Sequence, residues 1–576
     1  MKLSEIRIEN FRSIRLCHLF LDEITAVIGE NNAGKTALLR ALNSVFNWEY
    51  EKESFFNNTH QYAVRTSTKI MLTFDAVPEK ALYLNKMNGN RLVLCFKYSY
   101  GATTRKRTLT CLTQDASIIV DDDFLREMKK DIDYIYIPAS RSNRDLTWTE
   151  NSIFSKVITA YSQHHTQQRD NISAQVARVA GKLKTSIFQK IEAEFHDSSL
   201  LDDRERYQLD YMSSIDYSIF LNKVGINIVE GDNSFPVTEY GSGVKSLSVI
   251  ALYRSLAKLN RVNVILGIEE PETNLHPHAQ KKLIASIQHN RKEFEVQAIF
   301  ATHSTVIVDE LGHEDIVLAR RVADSRRGFH TEFSQLPKDF WDVYRLDEYK
   351  HNRFFQYRNS DFFFAKYVIV VESVTDAQII TKLVQELVKD KMFYVSILNL
   401  DGIKNLKYPY FLLKSLGIPF SMMVDRDFLT QYKNDSIKNS RSAPTYLPEY
   451  KNEANQHDPV INTIWASQQD KAELSSKLKE SYSKLFEFCA PHKLYPMQYC
   501  LEMDLVASKE SRAAYCHVMD IPNDANAYKV LLVDRCDAIK EPDKVLQVIE
   551  ALTPAQYPYS YKKIRNAITE DINQAF

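Results

Sequence analysis

Gly29-Glu30-Asn31-Asn32-Ala33-Gly34-Lys35-Thr36 fits the pattern G-x-x-x-x-G-K-[ST] at every fixed position. Ile24-Thr25-Ala26-Val27-Ile28 before it reads as a buried strand, and Ala37-Leu38-Leu39-Arg40-Ala41-Leu42 after it reads as a helix. Strand, glycine loop and helix start are the context in which this pattern cradles a triphosphate rather than making an ordinary glycine turn. The amides of Gly29, Asn31, Asn32, Ala33 and Gly34 and the positive end of the helix then face the phosphates. Lys35 is expected to reach the β/γ-phosphates of ATP, and Thr36 to hold Mg²⁺.

Working outward, Leu3–Ile8 alternates apolar and polar residues as a half-buried strand does, and a second strand near Leu16–Leu21 completes a hairpin that feeds the loop. Ile70–Phe74, Arg91–Tyr98, Arg107–Leu112 and Ala116–Val120 predict an antiparallel β-region. Residues 150–212 are polar and helix-prone, with Ile172, Val176, Val179, Leu183, Ile187, Phe188 and Ile191 at helical spacing. This is a helical insertion whose stripe serves either its own core or a dimerisation arm. Asn263–Ile268 and Val296–Ala301 are continuous apolar runs, the pattern of central parallel strands. Ile316–Arg320 and His330–Phe333 are expected at a sheet edge.

The second half restarts an alternation of strand (Tyr367–Val371, Tyr394–Asn399, Phe420–Val424) and helix (Asp376–Val388, Asn405–Ser415), which implies a parallel sheet with crossover helices. Beyond about Ser436 the pattern is mostly helical. The expected organisation is α/β throughout: 1–335 an ATPase domain carrying the insertion, 336–364 a linker, and 365–576 a second domain.

Bulk composition excludes some classes. The 576 residues exceed a single core. Lys+Arg 73 against Asp+Glu 74 give no overall nucleic-acid signal, although a local basic groove remains compatible with them. No apolar run approaches a membrane span, no signal peptide is read at Met1–Glu5, and the seven dispersed cysteines form no C-x-x-C pair. A cytoplasmic protein with reduced thiols and no membrane partner is expected.

ATP chemistry also needs acids and a phosphate sensor. The Asn263–Ile268 strand ends in Glu269-Glu270-Pro271-Glu272. Glu269 is expected to support Mg²⁺ and Glu270 to polarise the attacking water. His303, in Thr302-His303-Ser304 at the end of the next strand, is placed to sense the γ-phosphate, with Arg141 or Gln114 as minor contributors. In the second half, Glu372 ends one strand, Asp376 opens the next helix, and Asp425 and Asp427 follow a third strand. Ligands bind outside the carboxyl ends of parallel strands. Acids gathered there repel one another unless hard divalent cations, Mg²⁺ or Mn²⁺, are present. Two such ions suit phosphodiester cleavage. The competing reading is that these acids cap helices and turns.

Tyr240-Gly241-Ser242-Gly243 before a helix resembles the signature segment of ABC-type ATPases. With Asn10-Phe11-Arg12-Ser13-Ile14, the glycine loop, Glu269-Glu270-Pro271-Glu272-Thr273-Asn274-Leu275-His276-Pro277 and Thr302-His303-Ser304, it resembles the ATPase half of the OLD (overcoming lysogenization defect) family. That half is related to the heads of RecF- and SMC-type ATPases. In that family Ser242 and Gly243 meet the nucleotide of another subunit, so a single loop and a single signature imply a homo-oligomer, a dimer or higher. The Glu372, Asp376, Asp425 and Asp427 pattern resembles a Toprim metal-binding domain. Asp401-Gly402-Ile403-Lys404-Asn405 is similar to the family's Gly-x-x-Asn turn, and Leu501-Glu502-Met503-Asp504-Leu505 to its late acidic motif, which implies Glu502 and Asp504 as further metal ligands. A late catalytic lysine is implied too, with Lys540 first and Lys529 and Lys562 as alternatives. Ser373 stands where the family has Gly. The resemblance implies an ATP-regulated nuclease acting on DNA in anti-phage defence, alone, beside a helicase as in Gabija, or held by a retron reverse transcriptase with its DNA–RNA hybrid. The alternatives are a RecF-like DNA sensor or clamp with inert acids, and a partner-binding scaffold.

Overall fold

Ile24–Ile28 pairs in parallel with Val296–Thr302 on one side and Ile316–Asp324 on the other. Asn263–Glu269 pairs in parallel with Val296–Thr302, and Ile132–Ile137 closes that edge. Ile24–Ile28 is buried at all five positions, and only the first residue of each of the next two strands is even partly exposed. This burial on both faces explains their unbroken apolar sequences. Beyond Ile316–Asp324 and Gly328–Gln335 the same sheet continues through the antiparallel strands Ile14–Phe20, Lys2–Phe11, Thr68–Asp75, Arg91–Tyr100, Arg105–Leu112 and Ser117–Val120. In the computed structural model residues 1–101, 105–141, 143–147, 152–197, 208–211, 220, 224–260, 263–289, 296–325, 327–347, 360–434 and 436–576 are described. They divide into two compact units, Met1–Phe333 and Ser334–Phe576.

Two expectations are corrected. Ile316–Asp324 and Gly328–Gln335 lie inside the sheet, between Ile24–Ile28 and Ile14–Phe20, not at its edge. Their mixed polarity comes from protruding ends: Ile316–Ala319 are buried while Arg321 and Ala323 are exposed. In the second unit, a fourth parallel strand, Leu494–Pro496, lies in the region read as mostly helical. Three residues ending in proline carry no alternation to read. The order there is Val395–Asn399, Tyr367–Val371, Phe420–Val424, Leu494–Pro496.

The region of the insertion holds helices Ile153–His164, Thr166–Leu183 and Gln189–Asp197, with a π-turn over Lys184–Phe188. Val176 and Ala180 are buried, whereas Ile172, Val179, Leu183 and Ile187 are exposed. Ile191 lies on the last of these helices, and residues 198–207 and 212–219 fall outside the described residues. Within the stretch read as a linker, Phe340 is buried and Trp341 stacks on Tyr408 of the second unit.

Candidate functional site

Strand register sets the nucleotide end of the first unit. Thr302 lies opposite Ile28, and Glu269 opposite Ala301. Gly29, Glu270 and His303 therefore leave three neighbouring strands at the same carboxyl edge. The loop needs its glycines. A Cβ on Gly29 (φ 142°) would stand 2.1 Å from the Ala319 carbonyl oxygen, and one on Gly34 (φ 98°) 2.2 Å from Thr331 Oγ1 and 2.8 Å from Ser13 Oγ. Thr331 donates to Ser13 at 2.8 Å, so the Asn10–Ile14 motif acts as a wall behind the loop. Gly34 caps helix Lys35–Phe46 without a side chain, which leaves its first amides for an anion. Lys35 is buried and folds back across the loop, donating to the carbonyls of Gly29 (2.8 Å) and Glu30 (2.9 Å). Burial pulls its pKa down, opposed by Glu270, Glu272 and Glu30. Asn31 and Asn32 are exposed on the loop, Ala33 is buried beneath it, and Thr36 is half-buried in the first turn.

Glu269 is buried. One of its oxygens accepts from the Ala139 amide at 3.3 Å, while Oε1 has no partner, as fits a carboxylate supporting a cation. Glu270 adopts φ 40°, fixed by its amide donating to Ala301 at 2.7 Å. His303 Nδ1 stands 3.7 Å from Glu270 and 3.5 Å from Glu272. Two residues gain weight over their sequence reading. Glu272 accepts from Thr302 Oγ1 (2.8 Å) and from the His303 amide (2.9 Å), tying the acidic turn to the sensor strand. Arg141 donates to the Glu269 carbonyl at 2.5 Å and keeps Nε and Nη1 buried without partners. Glu-Pro-Glu spacing was the only signal for Glu272. Gln114 lies exposed in the turn before the outermost strand, Ser117–Val120, at the other edge of the sheet. Ser242 opens the helix Ser242–Asn260. A Cβ on Gly243 would meet the Asn274 carbonyl at 2.4 Å, so this glycine is already required by contact with its own chain.

In the second unit, Val371 and Val424 end adjacent parallel strands, so Glu372 and Asp425 emerge at one edge. Glu372 Oε2 is buried without a partner, and burial, then Asp427 and Asp376, push its carboxyl up to about 7. Burial, then Asp376, Glu372, Glu502 and Asp427, raise Asp425 well above the carboxylate range. Burial also raises Asp376 and Asp427, and Glu502 pushes both the same way. Asp376, Asp427 and Glu502 act on both Glu372 and Asp425, and Glu502 acts on Asp376 and Asp427, which brings the five into one electrostatic cluster. Asp427 accepts from the Tyr432 hydroxyl at 3.2 Å. Gly402 (φ 108°) donates its amide to the Glu372 carbonyl at 2.9 Å, so the Asp401–Asn405 turn braces this acid. Lys540 Nζ stands 3.5 Å from Glu502. Burial lowers the Lys540 pKa, but Glu502 outweighs it and leaves the ammonium raised. Lys529 is exposed, and Lys562 donates to the Ala555 carbonyl at 2.5 Å.

Two acids are engaged elsewhere. Asp376 accepts from the amide and hydroxyl of Ser373, both at 2.8 Å, in a capping box for Val374–Val388. The serine standing at the glycine position therefore binds the second acid of the motif. Asp504 is buried and accepts from the amides of Gln498 (2.9 Å) and Tyr499 (2.7 Å). Burial pushes its carboxyl to about 7. Among the described residues no three His, Cys, Asp or Glu side chains stand close enough to hold one ion. The unpartnered Glu372 oxygen and the mutual repulsion nevertheless fit a cation, which removes both penalties.

Known proteins resemble both units. A family model for an AAA domain, whose description also names the AbiEii toxin and type IV toxin–antitoxin systems, matches residues 24–309. A model for the Toprim domain of overcoming lysogenization defect-like proteins matches residues 363–427. An OLD nuclease of Thermus scotoductus is 23% identical over 457 residues, covering 74% of this chain and 82% of that relative. Endonuclease GajA of Bacillus cereus is 22% identical over 61% of this chain, which spans 56% of that relative. The Old nuclease of Escherichia phage P2 is 22% identical, covering 75% of this chain and 78% of that relative. An SMC head domain from Thermotoga maritima aligns with TM-score 0.31 at 14% identity, over 58% of this chain and all of that one. The chain is thus an AAA-type ATPase domain followed by an OLD-like Toprim domain.

Proposed function

We propose that this protein is an ATP-controlled, divalent-cation-dependent DNA endonuclease that acts in anti-phage defence. The observation that carries the reading is the cluster of Glu372, Asp425, Asp427 and Glu502 at the carboxyl edge of the Toprim sheet. Its relatives include proteins named as nucleases. Glu372, Asp425, Asp427 and Glu502 would hold Mg²⁺ or Mn²⁺, with Asp376 behind them. Bound there, the ions activate water and stabilise the leaving oxygen. Lys540 stabilises charge on the phosphate, and Asp504 orients the Gln498–Tyr499 segment.

The ATPase unit controls this site. Gly29–Thr36 binds ATP, Glu269 supports its Mg²⁺, Glu270 orients water and His303 senses the γ-phosphate. Ser242 and Gly243 of a second copy complete the site, so the working form is a homodimer or larger. The exposed apolar stripe of the helical insertion supports that assembly. A partner helicase, or a reverse transcriptase with its DNA–RNA hybrid, belongs to the same proposal, as does a cytoplasmic setting. No described helix is long and apolar enough to cross a membrane.

Incubating the purified protein with supercoiled plasmid and Mg²⁺ or Mn²⁺ tests the reading. Cleavage that vanishes with EDTA and with Asp425→Asn is expected. Cleavage surviving either change overturns the metal site. A second reading, an ATP-gated DNA clamp or sensor, is favoured by the absence of a ready three-ligand group among the described residues. It predicts ATP-dependent DNA binding with no cutting in either cation.

A further inference from the structure

Beside the carboxylate cluster the second unit carries a cleft of about 690 Å³, lined by Arg426, Lys433, Tyr450, Lys451, Lys479 and Tyr499. The size lies within the roughly 300–1,000 Å³ of ordinary ligand sites. Four cations face two acids, Glu449 and Glu453, in a chain whose overall charge nearly cancels. The positive charge is thus concentrated locally, as an anionic ligand requires. Lys433 pairs with Glu449 at 2.7 Å, and Lys451 donates to Gln431 at 3.0 Å.

The cleft shares its wall with the cluster. Arg426 stands in sequence between Asp425 and Asp427. It donates to the carbonyls of Leu478 (3.2 Å) and Gln498 (3.4 Å), lies 5.3 Å over the Tyr450 ring, and keeps Nε buried without a partner. Tyr450 stacks on Tyr432 at 5.1 Å, and the Tyr432 hydroxyl binds Asp427. The cleft therefore begins one stacked ring from the carboxylates. The Tyr450 ring is engaged by Tyr432 and Arg426, while its hydroxyl is buried without a partner. The rest of the lining carries Glu449, Asn452, Glu453 and Tyr499 as well, but its excess of cationic side chains suits phosphates rather than base edges.

We propose that this cleft seats the backbone of one DNA strand flanking the cut, with Lys433, Lys451 and Lys479 on its phosphates. It rests on the nuclease reading above, and makes the strand contact independent of sequence. Fluorescence anisotropy of a labelled single-stranded oligonucleotide in Ca²⁺, across a salt series, tests it. The combined Lys433→Gln, Lys451→Gln and Lys479→Gln variant should bind about 10-fold more weakly, and its slope of log K against log salt should fall by about 2, at ~0.7 per phosphate contact. ATP hydrolysis should be unchanged. Glu449→Gln, which removes a competing acid, should tighten binding. Affinity and slope equal to wild type in the triple variant overturn the proposal. So does displacement of the strand from the wild type alone by millimolar inorganic phosphate or ATP, which would make the cleft a free-nucleotide site. Salt-dependent strand binding that the lysines control, in a wild type that cuts nothing, removes the nuclease reading alone. Cutting with an unchanged KM in the triple variant removes the cleft alone.

Discussion

The two units both gather acids at the carboxyl edge of a parallel sheet, but they stabilise them in opposite ways. In the ATPase unit the protein supplies most of the partners: Glu272 takes hydrogen bonds from Thr302 and His303, and Arg141 crosses the Glu269 and Glu270 carbonyls, although Glu269 Oε1 has none. In the Toprim unit the acids mainly face one another, and the Glu372 oxygen has no partner. The first arrangement is held mainly by the protein's own hydrogen bonds. The second stores repulsion that cations, or protons at lower pH, relieve. Removing a group should therefore loosen geometry in the first unit, and abolish ion binding in the second.

The largest expected break is Asp425→Asn. It removes the acid on which Asp376, Glu372, Glu502 and Asp427 all act, and under the proposed reading cleavage should fall by about 10³-fold or more while ATP hydrolysis persists. Quantitative plasmid nicking beside a phosphate-release assay checks the split. Parallel loss of both activities would mean the units are not chemically separable. Lys35→Ala comes next. Nucleotide affinity should drop by about 10²-fold, read by isothermal titration, with cation binding at the Toprim unit retained. Glu272→Gln is milder, because the amide keeps one acceptor but turns its NH₂ toward a donor. A cost of about 1–3 kcal/mol and slower ATP hydrolysis are expected. Unchanged denaturant stability would show that Glu272 ties nothing together.

The pH response of the two units should also run in opposite directions. Burial of His313 in the ATPase unit lowers its pKa to about 3, whereas the unfolded chain titrates near 6.5. Between these values only the unfolded state takes the proton, so stability is complete above pH ~6.5 and declines on acidification. In the Toprim unit without cations, Glu372 rises to about 7, and the folded state holds the proton longer. Its stability is complete below pH ~4.5 and declines as pH rises toward 7 and above. Hydrogen-exchange mass spectrometry of the whole chain in EDTA should show protection near Ile316–Asp324 falling from pH 7 to 5, and protection near Tyr367–Val371 falling from pH 5 to 8. Mg²⁺ should restore the latter only. The same direction in both regions would contradict the contrast.

What the sequence made legible follows the same division. The glycine loop was readable because its pattern is contiguous in sequence, although Gly29 and Gly34 are required by backbone angle and by contacts with distant Ala319 and Thr331. The parallel core was readable because burial on both faces leaves continuous apolar runs. Leu494–Pro496 was not, since three residues have no period, and neither was the interior place of Gly328–Gln335, which depends on Thr331 reaching Ser13 across the chain. The Toprim acids were read as strand-end residues, but sequence spacing does not show which of them also hold the protein's own hydrogen bonds. Asp504 and Asp376 match the motif as well as Asp425 does, yet Asp504 holds backbone amides and Asp376 holds a cap. The Lys433–Lys451 cleft escaped notice because its charges come from four segments and sum to nothing conspicuous in the composition.

Ser373 gives the smallest effect and the finest probe of the contrast. Its hydroxyl accepts from the Asp376 amide at 3.2 Å and donates to the carboxylate at 2.8 Å. In Ser373→Gly both bonds go, but the glycine still serves as an N-cap, so the loss should be a few tenths of a kcal/mol. The same change removes one donor from Asp376 and leaves it freer to turn toward Asp425 and Glu502, increasing the repulsion a cation relieves. The variant should therefore be slightly less stable in EDTA and slightly more active at limiting Mn²⁺. If it loses stability and also needs more Mn²⁺, then the capping box is what positions Asp376 for the cation. The Toprim acids would then be preorganised by protein hydrogen bonds, as those of the ATPase unit are, and the difference between the two sites would be one of degree.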